Sequence, residues 1–304
     1  MRADSLRSIL DALRMEPSPG IPGDAGLFGP SSLVWHVGRE RVLLAGGTAA
    51  LLLQVAHPLV AAGVAAHSDF SSDPLRRLRV TLDATLTITF GDTAQAHAAA
   101  ATVRRRHRSV HGVLPTPTGS LAAGTPYRAD DPDLALWVFC TLVWSAVATR
   151  EEFVGRLTRG ERDTYYDQIK DFGRLFGVTG VKLPADYHAL TDYFDHMIES
   201  SLAVGPAARV LAGHILTLDE PVLPWPIRHA PGVLSAALLP AQVREAYGLR
   251  WRRRERFVYA ALRLVTRSIL PVLPARVRYW PHYREALLRM SPDPGPALSW
   301  RRRC

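Results

Sequence analysis

Two histidines and an arginine–threonine pair have types and spacing that could do chemistry. His107 and His111, in VRRRHRSVHG, stand four apart, which on a helix places two imidazoles on one face. Such a pair could hold zinc, but a zinc protease needs a glutamate directly after the first histidine. Arg108 occupies that place, so the general base is missing. A third ligand can be imagined at His57, His67 or His97, and nothing in the spacing selects one. The other chemistry open to the pair is a single axial imidazole on a haem iron, whose opposite face stays free for dioxygen and substrate. The plain alternative is a structural histidine satisfied by its neighbours, and spacing by itself favours that.

Arg77 and Thr81, in DPLRRLRVT, are also four apart. A buried guanidinium stays charged and needs an anionic partner. A haem propionate, a phosphate or a carboxylate would serve, and so would a helix-surface ion pair with Asp73. Thr81 could bond a ligand or only its own helix. Elsewhere the chemistry is thin. Gly46-Gly47 permits close helix packing but is no phosphate loop, because no GKS/T follows and no strand precedes it. Ser68 and Ser145 lack a nucleophile-elbow setting.

The elements that must position these residues are helices. Asp73-Pro74 combines an N-cap with proline at the first helical position, and apolar periodicity carries that helix to Phe90. Gly91 ends it, Asp92 or Thr93 caps the next, and this Ala-rich helix is expected to reach Val110. Before them lies LLAGGTAALLLQVAHPLVAAGVAAHSDF, in which Pro58 should break or bend the helix at His57. Val42–Ala66 is long enough to span a bilayer and carries no formal charge. Gln54, His57 and Pro58 near its middle weaken the drive for insertion, so a bent, buried core pair is expected.

Further on, 114–131 turns repeatedly, with room for a small hairpin, and Asp131-Pro132 opens a largely apolar helix. Helices are also expected at Glu161–Phe176, Ala185–Ser200, Gly205–Ala212, Ala241–Tyr247, Trp251–Leu270 and Pro281–Arg289. Convincing period-2 strands are absent, so the class is all-α. Residues 1–30 are read as an N-terminal helix and a Pro/Gly-rich linker, 31–290 as one helical domain, and 291–304 as a basic tail.

The composition is that of a globular protein. With Cys140 and Cys304 as its two cysteines, no disulfide framework or thiolate site is suggested, and a cytoplasmic location is expected, with membrane association left open. The net charge of +9 is concentrated at one end: residues 241–304 hold 15 Arg against 4 acids, or +11, leaving −2 elsewhere. The cluster Arg252–Arg254 with Arg256 opens a basic amphipathic helix. It could lie on an anionic membrane, but packing on the core with a wet Arg face is the expectation. No docking motif supports nucleic-acid binding.

Taken in order, LLLQVAHPLVAAGVAAHSDF, DPLRRLRVT, FGD, VRRRHRSVHG, PYRADDPDLALWVFCTLV and RYWPHYREAL resemble the DUF2236 family. That family includes the MpaB-type oxygenases and the catalytic domain of latex-clearing rubber oxygenases. The likeness runs from about Ser32 to Leu288. It implies a single globin-like, all-helical domain enclosing a haem b pocket, with His107 as the iron ligand and Arg77 and Thr81 as the family's RxxxT pair beside the haem. His111 matches no ligand. Two places depart from the rubber oxygenases: Val80 stands where a lysine precedes the threonine, and Pro58–Gly63 carries no acid where a distal glutamate is proposed. The implied activity is a haem b-dependent oxygenation, with O2, of an apolar isoprenoid- or lipid-like substrate. The alternative is a non-catalytic haem- or lipid-binding protein using the same pocket. His57 and His67 are candidates for the distal side.

Overall fold

Capping residues set the helix starts. In the computed structural model, residues 15–67, 74–216 and 225–291 are described; the helix expected over the first residues and the Asp73 cap lie outside them. Ser32 Oγ accepts from Trp35 N and opens α1 (Leu33–Gly38). A 3-10 turn, Arg41–Leu43, leads into α2 (Leu44–Ala56). His57 takes an extended conformation (ψ 122°) ahead of Pro58, as the proline ring requires. α3 (Pro58–His67) then leaves at 105° to α2. α4 (Pro74–Phe90) and α5 (Thr93–Arg108) form a helical hairpin whose turn is fixed by a capping box between Asp92 and Gln95.

Strands β1 (His111–Val113) and β2 (Pro126–Arg128) pair antiparallel. Asp131 caps α6 (Pro132–Phe153). A second capping box, Thr158 with Glu161, opens α7 (Arg159–Phe176), and Gly177 at φ 125° ends it. Then come α8 (Tyr187–Ser200), α9 (Pro206–Leu216), α10 (Trp225–Leu238), α11 (Ala241–Ala246), α12 (Arg253–Ile269), α13 (Ala275–Arg278) and α14 (Pro281–Met290). Most of the described residues are helical and the ribbon β1–β2 has three residues a side, which places the chain in the all-α class.

α6 is the centre of the packing. One side joins α1, α7 and α8 through Phe139, Cys140, Val143, Tyr166 and Leu190; the other joins α2, α8, α9 and α10 through Trp137, Leu53, Phe194, Leu211 and Leu238. A third cluster closes the far end, where Trp35 and Phe90 meet Met15, Trp280, Tyr283 and Ala286. Beside it, Arg278 forks onto the buried Glu40 at 2.7 and 2.9 Å and ties α13 to the start of the core. The Pro/Gly segment after Met15 is irregular, as expected, but docked: Ile21 N donates to Asp92, and Gly23 N to Arg289 O.

Among the described residues α6 is the one helix long and apolar enough to cross a membrane, and it is the core helix. The α2–α3 pair passes the same test only if its bend is ignored. Three expectations are corrected. α5 ends at Arg108 rather than near Val110, so His111 stands on β1 and not on the helix of His107. Ser109 Oγ donates to Arg106 O and stops the helix, and pairing with Arg128 takes His111 into the ribbon. α10 is absent from the expected helices, because Pro226, Pro231 and Gly232 read as punctuation; Pro231 lies inside the helix. Finally, α12 does not pack its apolar face on the core. Tyr259, Arg263 and Thr266 form its half-buried stripe, while Phe257, Leu264 and Val265 face outward.

Candidate functional site

The α4–α5 hairpin decides where the predicted site residues stand. Its turn end is packed: Leu86, Ile88, Phe90, Ala96 and Ala100 are buried. Arg77 lies thirteen residues before Phe90, and His107 fourteen after Thr93. At about 1.5 Å per residue, both positions stand roughly 20 Å from the turn, level with each other at the open end. The Arg77 side chain lies outside the described residues. Thr81, one turn nearer the hairpin bend, is exposed, and its carbonyl accepts from Thr85 Oγ1 at 2.9 Å.

His107 is half-buried in the last turn of α5. Its ring makes a T-shaped contact with Phe176 at the end of α7, with centroids 5.4 Å apart and planes at 84°. Arg104 holds the same corner, donating to Leu175 O at 2.6 Å. Arg105, Arg106 and Arg108 surround it on the last turns of α5, so the setting is cationic and suits an anionic group. The apolar α2–α3 segment reaches this end through the β-ribbon beyond α5: Gly63 lies against Val110 and Tyr127, and the His67 ring nitrogen bonds His111 O at 3.0 Å. The three sequence features are thus brought to one end of the molecule.

The histidines differ in surroundings. His67 is exposed and engaged with β1. His57 is buried at the α2–α3 bend, its Nδ1 has no hydrogen-bond partner among the described residues, and burial pulls its pKa down to about 4 against the opposing pull of Asp131. Asp131, which acts on His57, and Phe176, which meets His107, lie on different elements. His97 sits on an exposed stretch of α5. Among the described residues no group of three His, Cys, Asp or Glu converges on a metal position. A donor set of one imidazole fits a metal that brings four ligands of its own, as an iron porphyrin does, better than a bare ion.

Two cavities stand out and neither is lined by His107 or Thr81. A groove of about 550 Å³ runs beside Lys170, Arg174, Val181 and Pro184, and a crevice of about 20 Å³ lies between Pro58, Leu114 and Pro206. Phe176 is a neighbour of His107 that no local pattern reveals, since the two are 69 residues apart. Residues 34–268 match the family described as "ER-bound oxygenase mpaB/B'/Rubber oxygenase, catalytic domain". No curated protein and no solved structure matches the chain.

Proposed function

The chain belongs to the family of ER-bound mpaB and rubber oxygenase catalytic domains, and on that premise we propose that it is a haem b-dependent oxygenase acting with O2 on an apolar, isoprenoid- or lipid-like substrate. The observation that carries the proposal is the hairpin, which sets His107 and Arg77 level at one end, with Thr81 a turn away. Haem b, when bound, supplies the dioxygen chemistry that side chains cannot. His107 would hold it through one ring nitrogen, and Phe176, perpendicular to that ring, limits rotation of the imidazole. Arg77 would pair with a propionate as a fixed, always-charged fork. Thr81 would offer a hydroxyl beside it. The apolar α3 would form the substrate wall and keep water from the reacting carbons.

A second reading, haem or lipid binding without turnover, is favoured by Val80 in the place of the family's lysine and by the acid-free Pro58–Gly63. Two measurements separate the cases. Protein expressed with haem supply should show a Soret band that His107→Ala removes, and Arg77→Ala should lower haem retention more than Arg79→Ala. A chain without haem, or with haem content indifferent to His107, overturns the oxygenase and any haem-binding role for His107, and leaves only lipid binding. Oxygen uptake by the reduced holoprotein with a polyisoprenoid distinguishes them, since binding without uptake leaves only the second.

A further inference from the structure

We propose that α12 is a membrane-docking surface that seats the protein on an anionic phospholipid bilayer. The helix is amphipathic, but it is mounted with its apolar side away from the core. Phe257 is 76 % exposed, Leu264 68 % and Val265 53 %; Ile269 at 47 % and Val272 at 78 % continue the row into the following turn. At 100° per residue, the positions from Leu264 through Phe257, Ala261, Val265, Val258 and Ile269 to Leu262 cover roughly 160° of the helix surface, an arc that also holds Arg254 at its N-terminal end and Ser268 near its other end. None of the residues of α12 is buried.

The inward side is polar and accounted for. Tyr259 Oη donates to Glu152 Oε2 at 2.6 Å, and the Arg263 guanidinium lies 2.7 Å from the same carboxylate. Arg267 reaches Glu152 O, and the Tyr259 ring meets Phe153 and Trp251. These contacts fix the rotation of the helix on the end of α6. The outward apolar face is therefore a consequence of the packing and not of a loosely attached helix.

Charge identifies the occupant. From Arg250 to Arg278 the chain has nine arginines and one acid, Glu255, whose carboxylate is taken up by the backbone N–H of Arg252 at the helix start. Arg252, Arg253 and Arg256 are exposed at the N-terminal end of the row, Arg267 lies along its edge, and Arg276 beyond it. A second copy placed face to face would bring these arginines against their own kind. Neither chain end is better matched: residues 1–14 carry three Arg and two Asp, and 292–304 carry three Arg and one Asp. An apolar row flanked by arginine heads on flexible stems matches the interface of an anionic bilayer, where the row enters the acyl boundary and the guanidinium groups meet phosphates. The inference does not depend on haem or on turnover.

The test is flotation of the full-length protein with vesicles of phosphatidylcholine containing roughly one-third phosphatidylglycerol. Wild type should rise with these vesicles, and its partition should fall at least about tenfold on pure phosphatidylcholine or in high salt. The double variant Phe257→Asp/Leu264→Asp changes exposed side chains only, so its melting temperature should be that of wild type while vesicle binding drops by at least about tenfold. Arg252→Gln/Arg253→Gln/Arg256→Gln should weaken binding to the anionic vesicles alone. Wild type remaining unbound, or the Asp variant binding like wild type, would overturn the proposal. So would a dimer in light scattering that Phe257→Asp/Leu264→Asp turns into a monomer without any vesicle binding, which assigns the face to a second copy.

Discussion

His57 shows how one residue can be legible in its backbone and silent in its side chain. The chain direction it enforces is dictated by the sequence, because a residue before proline is driven out of the helical region, and α2 stops there. Its burial is not, since a lone histidine in an apolar run carries no mark of the side it faces. Desolvation lowers its pKa from 6.5 to about 4, so the folded protein refuses a proton that the unfolded chain accepts. Stability is complete above about pH 7 and falls as the pH drops through 6.5 towards 4, by about 2 kcal/mol at pH 5. In urea unfolding at pH 7.5 and 5, the stability difference between the two pH values should shrink by about that amount in His57→Leu. His36 and His282 are also held below their ordinary values by burial, His282 against the pull of Asp83, and they contribute to both proteins alike. Equal pH slopes in wild type and variant would count against this account. The four-residue step from His107 to His111 is the opposite case: the spacing means a shared face only while the helix continues, and Ser109 ends it.

At the scale of elements, caps and breaks are legible because they are local. Asp92, Asp131 and Thr158 each open a helix by hydrogen bonds within three residues. Orientation is not, since periodicity shows that α12 has an apolar face without saying which way it points. α10 is hidden because a helix can tolerate Pro231 when tertiary packing compensates for the lost hydrogen bond. Close approach of α2 to α6 is a middle case. Gly46-Gly47 signals it, but only the first glycine is used: a Cβ at Gly46 would enter the space of Thr149 Oγ1, which is buried and donates to Ser145 O at 2.6 Å. At Gly47 the nearest atom to an added Cβ is Leu44 Cδ1, 3.9 Å away. Gly46→Ala should therefore lose about 1–3 kcal/mol to overpacking. Gly47→Ala should gain about 0.5–1 kcal/mol by restricting the unfolded chain. Chemical denaturation of both variants checks the pair, and a gain at both positions would show that the helices are not in contact there.

At the scale of the whole molecule, the family match and the packed unit have different limits. The match spans 34–268, yet Met15, Trp280, Tyr283 and Ala286 cover Trp35 and Phe90 inside it. Arg289 donates to Phe90 O at 2.9 Å and to Asp24 O at 2.7 Å, joining segments 265 residues apart at the α4–α5 turn. Contacts of such separation leave no pattern in the sequence, which is why the Pro/Gly segment reads as a linker although it is docked. Cutting the chain to 34–268 would uncover both aromatic rings and strip Arg278 from the buried Glu40. Losing that fork leaves the buried carboxylate with only Arg39, 3.8 Å away, and costs up to about 3–5 kcal/mol, a large part of the roughly 5–15 kcal/mol that holds an ordinary domain. Residues 34–268 should consequently lack a cooperative thermal transition, whereas 15–291 should melt within about 5 °C of the full chain. A cooperative melt of 34–268 close to that of the full chain would mean that the chain ends decorate the fold. Loss of that melt with retention in 15–291 would mean that the site end of the hairpin is held in place from its far end, where Trp35, Phe90 and Tyr283 meet.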